Sequence, residues 1–157
     1  MKVLKFGGTS VANANNISLV KNIIADLGSN KTIVVVSALG GITDLLLKTA
    51  ALASAQDQTY KTILKEIEDR HLLTIKELIP IHSQSKVLSK VKSELNTLET
   101  LLEGAYLIGE ITTKLSDKIV SYGELLSSYI ISEYFIVEGI DTVHADSRQL
   151  IKTNSNF

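Results

Sequence analysis

The fold of this chain is decided near its start, by the stretch Lys5-Phe6-Gly7-Gly8-Thr9-Ser10-Val11. The apolar pair Val3-Leu4 precedes it, which predicts a short buried strand that runs into a turn with two glycines. Because Gly7 and Gly8 lack a Cβ, backbone N–H groups there can approach a ligand closely. A helical pattern follows, and a helix N-terminus favours negative charge, to which Lys5 adds a full positive one. The stretch therefore predicts a place that holds a phosphoryl group.

Lys5 has two interpretations on the residues alone. A lysine at the end of a buried strand is costly unless its ammonium reaches water or an anion. It can act as a charge clamp on a transferring phosphoryl group, or it can extend along the sheet edge into solvent. The surrounding stretch has neither the spacing of the P-loop nor a GxGxxG pattern, so two glycines after a strand do not decide between these interpretations.

A second glycine-bearing loop follows a second strand. The β-branched run Ile33-Val34-Val35-Val36 is typical of a strand buried on both faces of a parallel sheet, and it leads into Ser37-Ala38-Leu39-Gly40-Gly41-Ile42-Thr43-Asp44. Ligands of open α/β sheets bind beyond the carboxyl ends of the strands, so we expect both loops to clasp one ligand. Ser37 and Thr43 offer hydroxyls to a substrate carboxylate, or they are only turn and cap residues, with Thr43 capping the next helix.

Helical periodicity predicts the elements between and after these loops. The first helix has Asn13 as its N-cap and ends near Gly28. Two long amphipathic helices, the first ended by Pro80, are expected to form an antiparallel hairpin beside the sheet. The second of them has Ser83 or Ser85 as its predicted cap.

A further helix is predicted from Thr113 to Glu138, followed by a strand from Thr142 to Ala145. Glycine in a helix interior costs about 1 kcal/mol relative to alanine, so Gly123 indicates close approach by another part of the chain. Glu124 beside it can bind a substrate ammonium or can be an ordinary solvated side chain. The element order predicts an α/β fold with a parallel sheet and helices on both faces.

The composition bounds the classes of function. The chain has 157 residues, of which 45% are hydrophobic and 21% charged, as expected for one globular domain. Its formal net charge of −1 gives no basic field for nucleic acid or for an anionic membrane, and no apolar run is long enough to cross a bilayer. It has no cysteine, and its three histidines have no metal-ligand spacing. We expect a cytoplasmic protein without a metal site of its own.

Three motifs resemble, in the same order, the signatures of aspartate kinases in the amino acid kinase superfamily. The first runs from Lys5 to Ala12, the second from Ser37 to Asp44, and the third from Leu115 to Glu124. The stretch Asp146-Ser147-Arg148 is similar to an Asp-Ala-Arg stretch of the same family, with serine in place of alanine, and we treat Arg148 as structural. The long helical hairpin is similar to the longer aspartate kinase subgroup, which includes bifunctional enzymes that also carry homoserine dehydrogenase.

The resemblance implies a fold and a reaction. The fold is a three-layer α/β/α arrangement with a mainly parallel sheet, here incomplete and with an added helical hairpin. The reaction is transfer of the γ-phosphoryl group of ATP, with Mg²⁺, to the side-chain carboxylate of L-aspartate. The resemblance assigns Lys5 and the stretch from Gly7 through Gly8 and Thr9 to Ser10 to the phosphoryl group. Ser37 and Thr43 are assigned to substrate carboxylates, and Glu124 to the substrate ammonium.

The resemblance also implies what residues 1–157 are. They correspond to the N-terminal, amino-acid-binding portion of the kinase domain, with the ATP-binding half and any regulatory or dehydrogenase domains outside them. The stretch Ile151–Phe157 carries no helix stop and is typical of a segment cut short. We expect no turnover from these residues alone and a homo-oligomer for the full-length form. Two alternatives stay open, namely another amino acid kinase of the glutamate type and a non-catalytic domain that keeps the fold.

Overall fold

The computed structural model describes residues 1–28 and 31–151, and residues 152–157 of the predicted chain-end segment lie outside the described residues. Two parallel strands, β1 (Lys2–Phe6) and β2 (Thr32–Val36), pair in register, with Phe6 opposite Val36. Helix α1 (Ala14–Ala25) connects them. In such a βαβ unit the carboxyl ends of both strands lie at the same edge. The predicted parallel α/β order is confirmed.

The two faces of this sheet differ. One face packs against the core through four side chains, Leu4, Phe6, Val34 and Val36. The next residues along each strand point the other way, and Ile33 and Val35 are 47% and 44% exposed. The prediction that the run Ile33–Val36 is buried on both faces is therefore wrong for the described residues. Strand alternation sends every second side chain to a face that no described element covers.

The remaining helices build the body of the molecule. They are α2 (Ile42–Ser54), α3 (Tyr60–Leu78), α4 (Ile81–Ile108), α5 (Thr113–Val137) and the short α6 (Ser147–Leu150). Helix α2 is central, because α3, α4 and α5 all pack against it. Helices α3 and α4 form the predicted antiparallel hairpin, since the ring of Tyr60 at the start of α3 lies 5.6 Å from that of Tyr106 near the end of α4.

Three helix starts can be compared with prediction. Asn13 caps α1 as expected, and its side chain accepts a hydrogen bond from the N–H of Asn16. The predicted caps Ser83 and Ser85 of α4 are wrong. Pro80 precedes the helix instead, and its carbonyl accepts the N–H of Ser83 at 2.8 Å. Proline suits the start of a helix, because its φ is already fixed near the helical value and no hydrogen bond from a backbone N–H is needed there.

The predicted cap Thr43 is also wrong. Helix α2 begins one residue earlier, at Ile42, whose N–H donates to the carbonyl of Leu39 at 3.0 Å. Gly41 is the N-cap, with a φ of +77° that favours glycine, and it provides no side chain for capping. Thr43 therefore lies inside the first turn of α2.

The segment predicted as a strand, Thr142–Ala145, has no regular structure. A strand needs a neighbouring strand to share its backbone hydrogen bonds, and the described residues provide none here. The segment is held against α5 by side chains instead. His144 Nε2 lies 3.1 Å from the hydroxyl of Ser128, and its ring packs edge-on against Tyr129 at 5.6 Å. Burial in this contact lowers the pKa of His144.

Candidate active site

Two loops follow the strands, the first loop (residues 7–13) and the second loop (residues 37–41). The first loop is a tight turn in which the N–H of Ser10 donates to the carbonyl of Gly7 at 2.9 Å. The side-chain amide of Asn16 donates to the carbonyl of Thr9 at 2.7 Å, and Val11 is fully buried beneath the turn. Helix α1 starts four residues after Ser10, so its N-terminus does not directly adjoin the glycines. The hydroxyls of Thr9 and Ser10 belong to exposed residues.

The two loops are in contact, as predicted from their positions after the strands. The N–H of Ser37 donates to the carbonyl of Phe6 at 3.1 Å, which continues the strand pairing into the second loop. A Cβ added to Gly8 would lie 3.7 Å from the carbonyl oxygen of Ala38 and 3.9 Å from the hydroxyl of Ser37. The glycine turn of the first loop therefore lies against the start of the second loop.

Gly40 closes the contact from the other end of the second loop. A Cβ at this position would lie 3.2 Å from the Cα of Ala12 and 2.8 Å from its Cβ, and the second distance is shorter than real Cβ atoms show. Only a residue without a side chain lets the two loops meet here. The glycines of both loops thus serve the contact between loops as well as any approach by a ligand.

Lys5 lies on the uncovered face of the sheet, where strand alternation places it. The residue is exposed, so its charge carries little of the burial cost that the sequence raised. Its ammonium nitrogen lies 3.8 Å from the position that a Cβ on Gly7 would occupy. No carboxylate among residues 1–28 and 31–151 forms an ion pair with it. A cation therefore stands beside the first loop with its charge available to an anion.

Helix α5 supports the second loop from the opposite side. The N–H of Ala38 donates to Glu124 Oε1 at 3.3 Å, and the hydroxyl of Ser127 donates to the carbonyl of Ser37 at 2.7 Å. A Cβ on Gly123 would lie 2.9 Å from the Cβ of Ala38, so the predicted close approach at this glycine is confirmed. The nearest approaching atom belongs to the second loop, and side chains of α2 lie next to it. Glu124 is thereby brought to the same loop as Ser37.

The structure thus gathers most of the predicted site residues around one contact. Lys5, Gly7 and Gly8 lie on the first-loop side, while Ser37 and Glu124 lie on the second-loop side. Thr43 is half-buried in the first turn of α2, two residues after the second loop. A cation therefore lies beside the first loop, and a carboxylate bonds to the second loop, which contacts the first. Such an arrangement suits a small ligand that carries both an anionic group and an ammonium group.

Two residues at this contact were not predicted. Arg70 of α3 donates from Nη2 to the carbonyl of Gly40 at 2.7 Å, and Ser127 of α5 holds the carbonyl of Ser37. Arg70 is one of two arginines in the chain, and Ser127 follows Glu124 by three residues on the same helical face. The rarity of arginine and the spacing from Glu124 could have drawn attention to these two residues. Neither feature of the sequence indicates which loop each residue contacts.

The described residues contain no group of three or more His, Asp or Glu side chains that could bind a metal ion. The histidines are spread over different elements. His71 is fully buried in α3, where its Nδ1 lies 2.7 Å from the carbonyl of Ile67 and must be the donor. Burial lowers the pKa of His71 to about 4. Its Nε2 has no hydrogen-bond partner among the described residues.

No helix within the described ranges is both long enough and apolar enough to cross a membrane.

Comparison with known proteins identifies related chains. The model of the amino acid kinase family matches residues 1–156. Bifunctional aspartokinase/homoserine dehydrogenase 1, chloroplastic, of Zea mays is 30% identical over 152 residues, which are 97% of this chain and 16% of that protein. Aspartokinase 1, chloroplastic, of Arabidopsis thaliana is 30% identical over 154 residues, which cover 94% of this chain and 26% of that protein.

A solved structure shares the fold. The chain resembles E. coli aspartokinase III in complex with aspartate and ADP, with a TM-score of 0.77 and 28% sequence identity. The match covers 90% of this chain and 30% of that one. The present chain therefore spans less than a third of the length of each of these three proteins.

Proposed function

This chain belongs to the amino acid kinase family, and we propose that it forms the aspartate-binding portion of an aspartate kinase. The names of the relatives support the activity, and the E. coli structure that the chain resembles contains aspartate and ADP. The reaction of the full-length protein is then transfer of the γ-phosphoryl group of ATP to the side-chain carboxylate of L-aspartate. Residues 1–157 are proposed to supply the part of the site that binds the amino acid and steadies the phosphoryl group.

The proposed step needs no general base. A carboxylate oxygen of aspartate forms a bond to the γ-phosphorus, and the bond from that phosphorus to the β–γ bridging oxygen breaks. ADP leaves with the bond electrons, and 4-phospho-L-aspartate remains. Because an aspartate carboxyl group has an ordinary pKa of about 3.9, the attacking oxygen is already ionised at neutral pH. Catalysis of such a transfer depends on positioning and on stabilisation of charge.

The first loop is assigned to the phosphoryl group. Lys5 would neutralise negative charge on the transferring oxygens, while backbone N–H groups of Gly7 and Gly8 would donate to them. Thr9 and Ser10 are proposed as further donors at the rim of the turn. The ammonium of Lys5 lies beside Gly7 and forms no ion pair with a carboxylate of the described residues, which supports this assignment, because a cation already neutralised by a carboxylate would contribute little.

The second loop and α5 are assigned to the amino acid. Ser37 and Thr43 would donate to its carboxylates, and neither hydroxyl has a hydrogen-bond partner in residues 1–28 and 31–151. The carboxylate of Glu124 would accept hydrogen bonds from the ammonium group of the amino acid, because the contact with Ala38 leaves acceptor sites on its oxygens available. The single observation that supports the proposal is the contact between the loops, with the Lys5 ammonium beside Gly7 in the first loop and the Glu124 carboxylate bonded to Ala38 in the second.

Mg²⁺ is expected to accompany ATP in the full-length protein. The described residues do not provide a set of ligands for it, and we assign no step to the metal. A homo-oligomeric full-length form and a cytoplasmic location are likewise part of the proposal. The names of the plant relatives place those proteins in the chloroplast.

The proposal is tested by ADP release from the full-length gene product with ATP and a panel of amino acids. We expect turnover with L-aspartate and little with L-glutamate, together with an acyl phosphate that hydroxylamine traps. Preferential turnover of glutamate would identify the other amino acid kinase class instead. Absence of turnover with every amino acid, by a protein that is folded, would favour a non-catalytic domain that keeps the fold.

A further inference from the structure

We propose that Arg70 is a positioning residue for the aspartate site, acting through the second loop without touching the substrate. The effect on aspartate binding rests on the proposed function. The way in which Arg70 holds the second loop rests on the geometry of α3 and that loop. Arg70 belongs to the helical hairpin, which contributes none of the residues assigned to substrate or phosphoryl group. The proposal therefore gives part of the hairpin a role in the site.

The contact of Arg70 is short and charge-assisted. Its Nη2 donates to the carbonyl of Gly40 at 2.7 Å, and its Nη1 lies 3.8 Å from the position that a Cβ on Gly41 would occupy. The guanidinium thus lies along the Gly40–Gly41 peptide, directly before the first turn of α2. Hydrogen bonds with one charged partner are stronger than neutral ones and hold their geometry more firmly.

The second loop needs this support at its glycine end. Its first two residues are held by α5, through the carbonyl of Ser37 and the N–H of Ala38. Leu39 comes next, and the last two residues of the loop are glycines, which have the largest backbone freedom to lose on folding. The hydrogen bond that the structure gives to the Gly40 carbonyl comes from Arg70, from a residue thirty positions away. With it, the loop is fixed from both ends, between Ser37 on one side and Thr43 on the other.

The position of Arg70 is electrostatically unusual. A positive charge at the N-terminus of a helix opposes the helix dipole, and here it lies at the start of α2. No carboxylate of the described ranges forms an ion pair with Arg70, and its neighbour Asp69 is paired with Lys65 instead. An arginine selected only to stabilise α2 would not be expected there. A loop that must bind a substrate with two carboxylates gains from both its hydrogen bond and its charge.

The test uses three variants of the full-length gene product. Arg70→Met removes the charge and the donors but keeps an unbranched apolar stem. Arg70→Lys keeps the charge and loses the planar fork. Lys76→Met is the matched control, because it removes an exposed cation from the same helix, away from the loop. Steady-state kinetics give KM for aspartate and for ATP separately, and hydrogen exchange by mass spectrometry follows peptides that cover residues 37–45.

We expect Arg70→Met to raise KM for aspartate about tenfold, the scale of one lost hydrogen bond to a charged group. KM for ATP and the melting temperature should change little, and amides of residues 37–45 should exchange faster. Arg70→Lys should lie between Arg70→Met and the unchanged protein, and Lys76→Met should match the unchanged protein in every measurement.

Three results would overturn the inference. The first is an unchanged KM for aspartate in a folded Arg70→Met protein. The second is an equal rise of both KM values with a lower melting temperature, which indicates a general structural role. The third applies if Arg70→Met does not fold. In that case a normal KM for aspartate and normal hydrogen exchange of residues 37–45 in Arg70→Lys would overturn the inference. A protein that phosphorylates no amino acid would contradict the proposed function. Hydrogen exchange of residues 37–45 in the same variants would still decide whether Arg70 holds the second loop.

Discussion

The two loops of the site are held in different ways. The first loop is supported by neighbours in sequence, since Ser10 bonds to Gly7, and Asn16 bonds to Thr9 seven positions away. The second loop is supported from far along the chain, by Arg70, Glu124 and Ser127, at separations of 30, 86 and 90 positions. The comparison teaches that the proposed phosphoryl side of the site is locally encoded, whereas the proposed amino-acid side exists only once α3 and α5 have packed.

This difference predicts that changes in the first loop alter chemistry without altering the fold. Lys5→Met in the full-length gene product should lower kcat/KM for aspartate phosphorylation by about 10³, the scale of a lost electrostatic contact to a transition state. The free energy of unfolding should change little, because Lys5 is exposed and forms no ion pair within residues 1–28 and 31–151. Lys2→Met, at the far end of the same strand, is the control and should keep full activity. Normal turnover by Lys5→Met would leave this lysine as a solvated edge residue.

Changes at the contact between the loops should instead destabilise the fold. Gly40→Ala forces its Cβ against Ala12 at 2.8 Å, and one of the loop backbones must move. We expect a loss on the order of 3 kcal/mol in the free energy of unfolding, measured by urea denaturation. Gly104→Ala is the matched control, because nothing lies within 4 Å of a Cβ at that helical position. It should stabilise the protein by roughly 0.5–1 kcal/mol. Equal effects of the two changes would contradict the proposed packing of the loops.

Acid should destabilise the fold through α3, the helix that also carries Arg70. His71 is buried next in sequence to Arg70, and burial lowers its pKa to about 4 in the folded state, from an ordinary value of 6.5. Between these values the unfolded chain binds the proton and the folded chain does not. The contribution of His71 is therefore complete above pH 6.5 and is lost as the pH falls towards 4, by about 2 kcal/mol at pH 5. His71→Leu should flatten the stability–pH curve over this interval, and an unchanged slope would show that His71 is not the group responsible.

The smallest expected effects come from two substitutions that each remove one hydrogen bond, one from the second loop and one from the first. Ser127→Ala removes a buried hydroxyl that holds the carbonyl of Ser37, and we expect a loss of about 1 kcal/mol with faster hydrogen exchange in the second loop. Asn16→Asp removes the amide that holds Thr9 but keeps a polar side chain, and the first loop should exchange faster with a smaller loss of stability. If either change loosened both loops equally, the loops would form one cooperative unit and the distinction between them would fail.

Sequence reasoning succeeded where the structure depends on periodicity or on neighbours. The apolar spacing around Tyr60 and the stop at Pro80 place α3 correctly, and the Asn13 cap of α1 is a contact over three residues. It failed where backbone geometry or distant packing decides. Thr43 is not a cap, because the turn ending at Ile42 starts the helix early, and Thr142–Ala145 is not a strand, because the described residues place no strand beside it. Arg70 and Ser127 were missed because their partners are far away in sequence.

The sequence by itself determined the two strands, the glycine turns after them and the carboxyl-end edge at which both turns lie, since hydrophobic period and glycine chemistry act over a few residues. Only the tertiary structure decided what holds the second loop and which face of the sheet is covered. The physical reason is that a hydrogen bond such as that from Arg70 to Gly40 needs a donor brought by helix packing, and burial of a face needs an element to cover it. Neither condition is written in the residues next to the site.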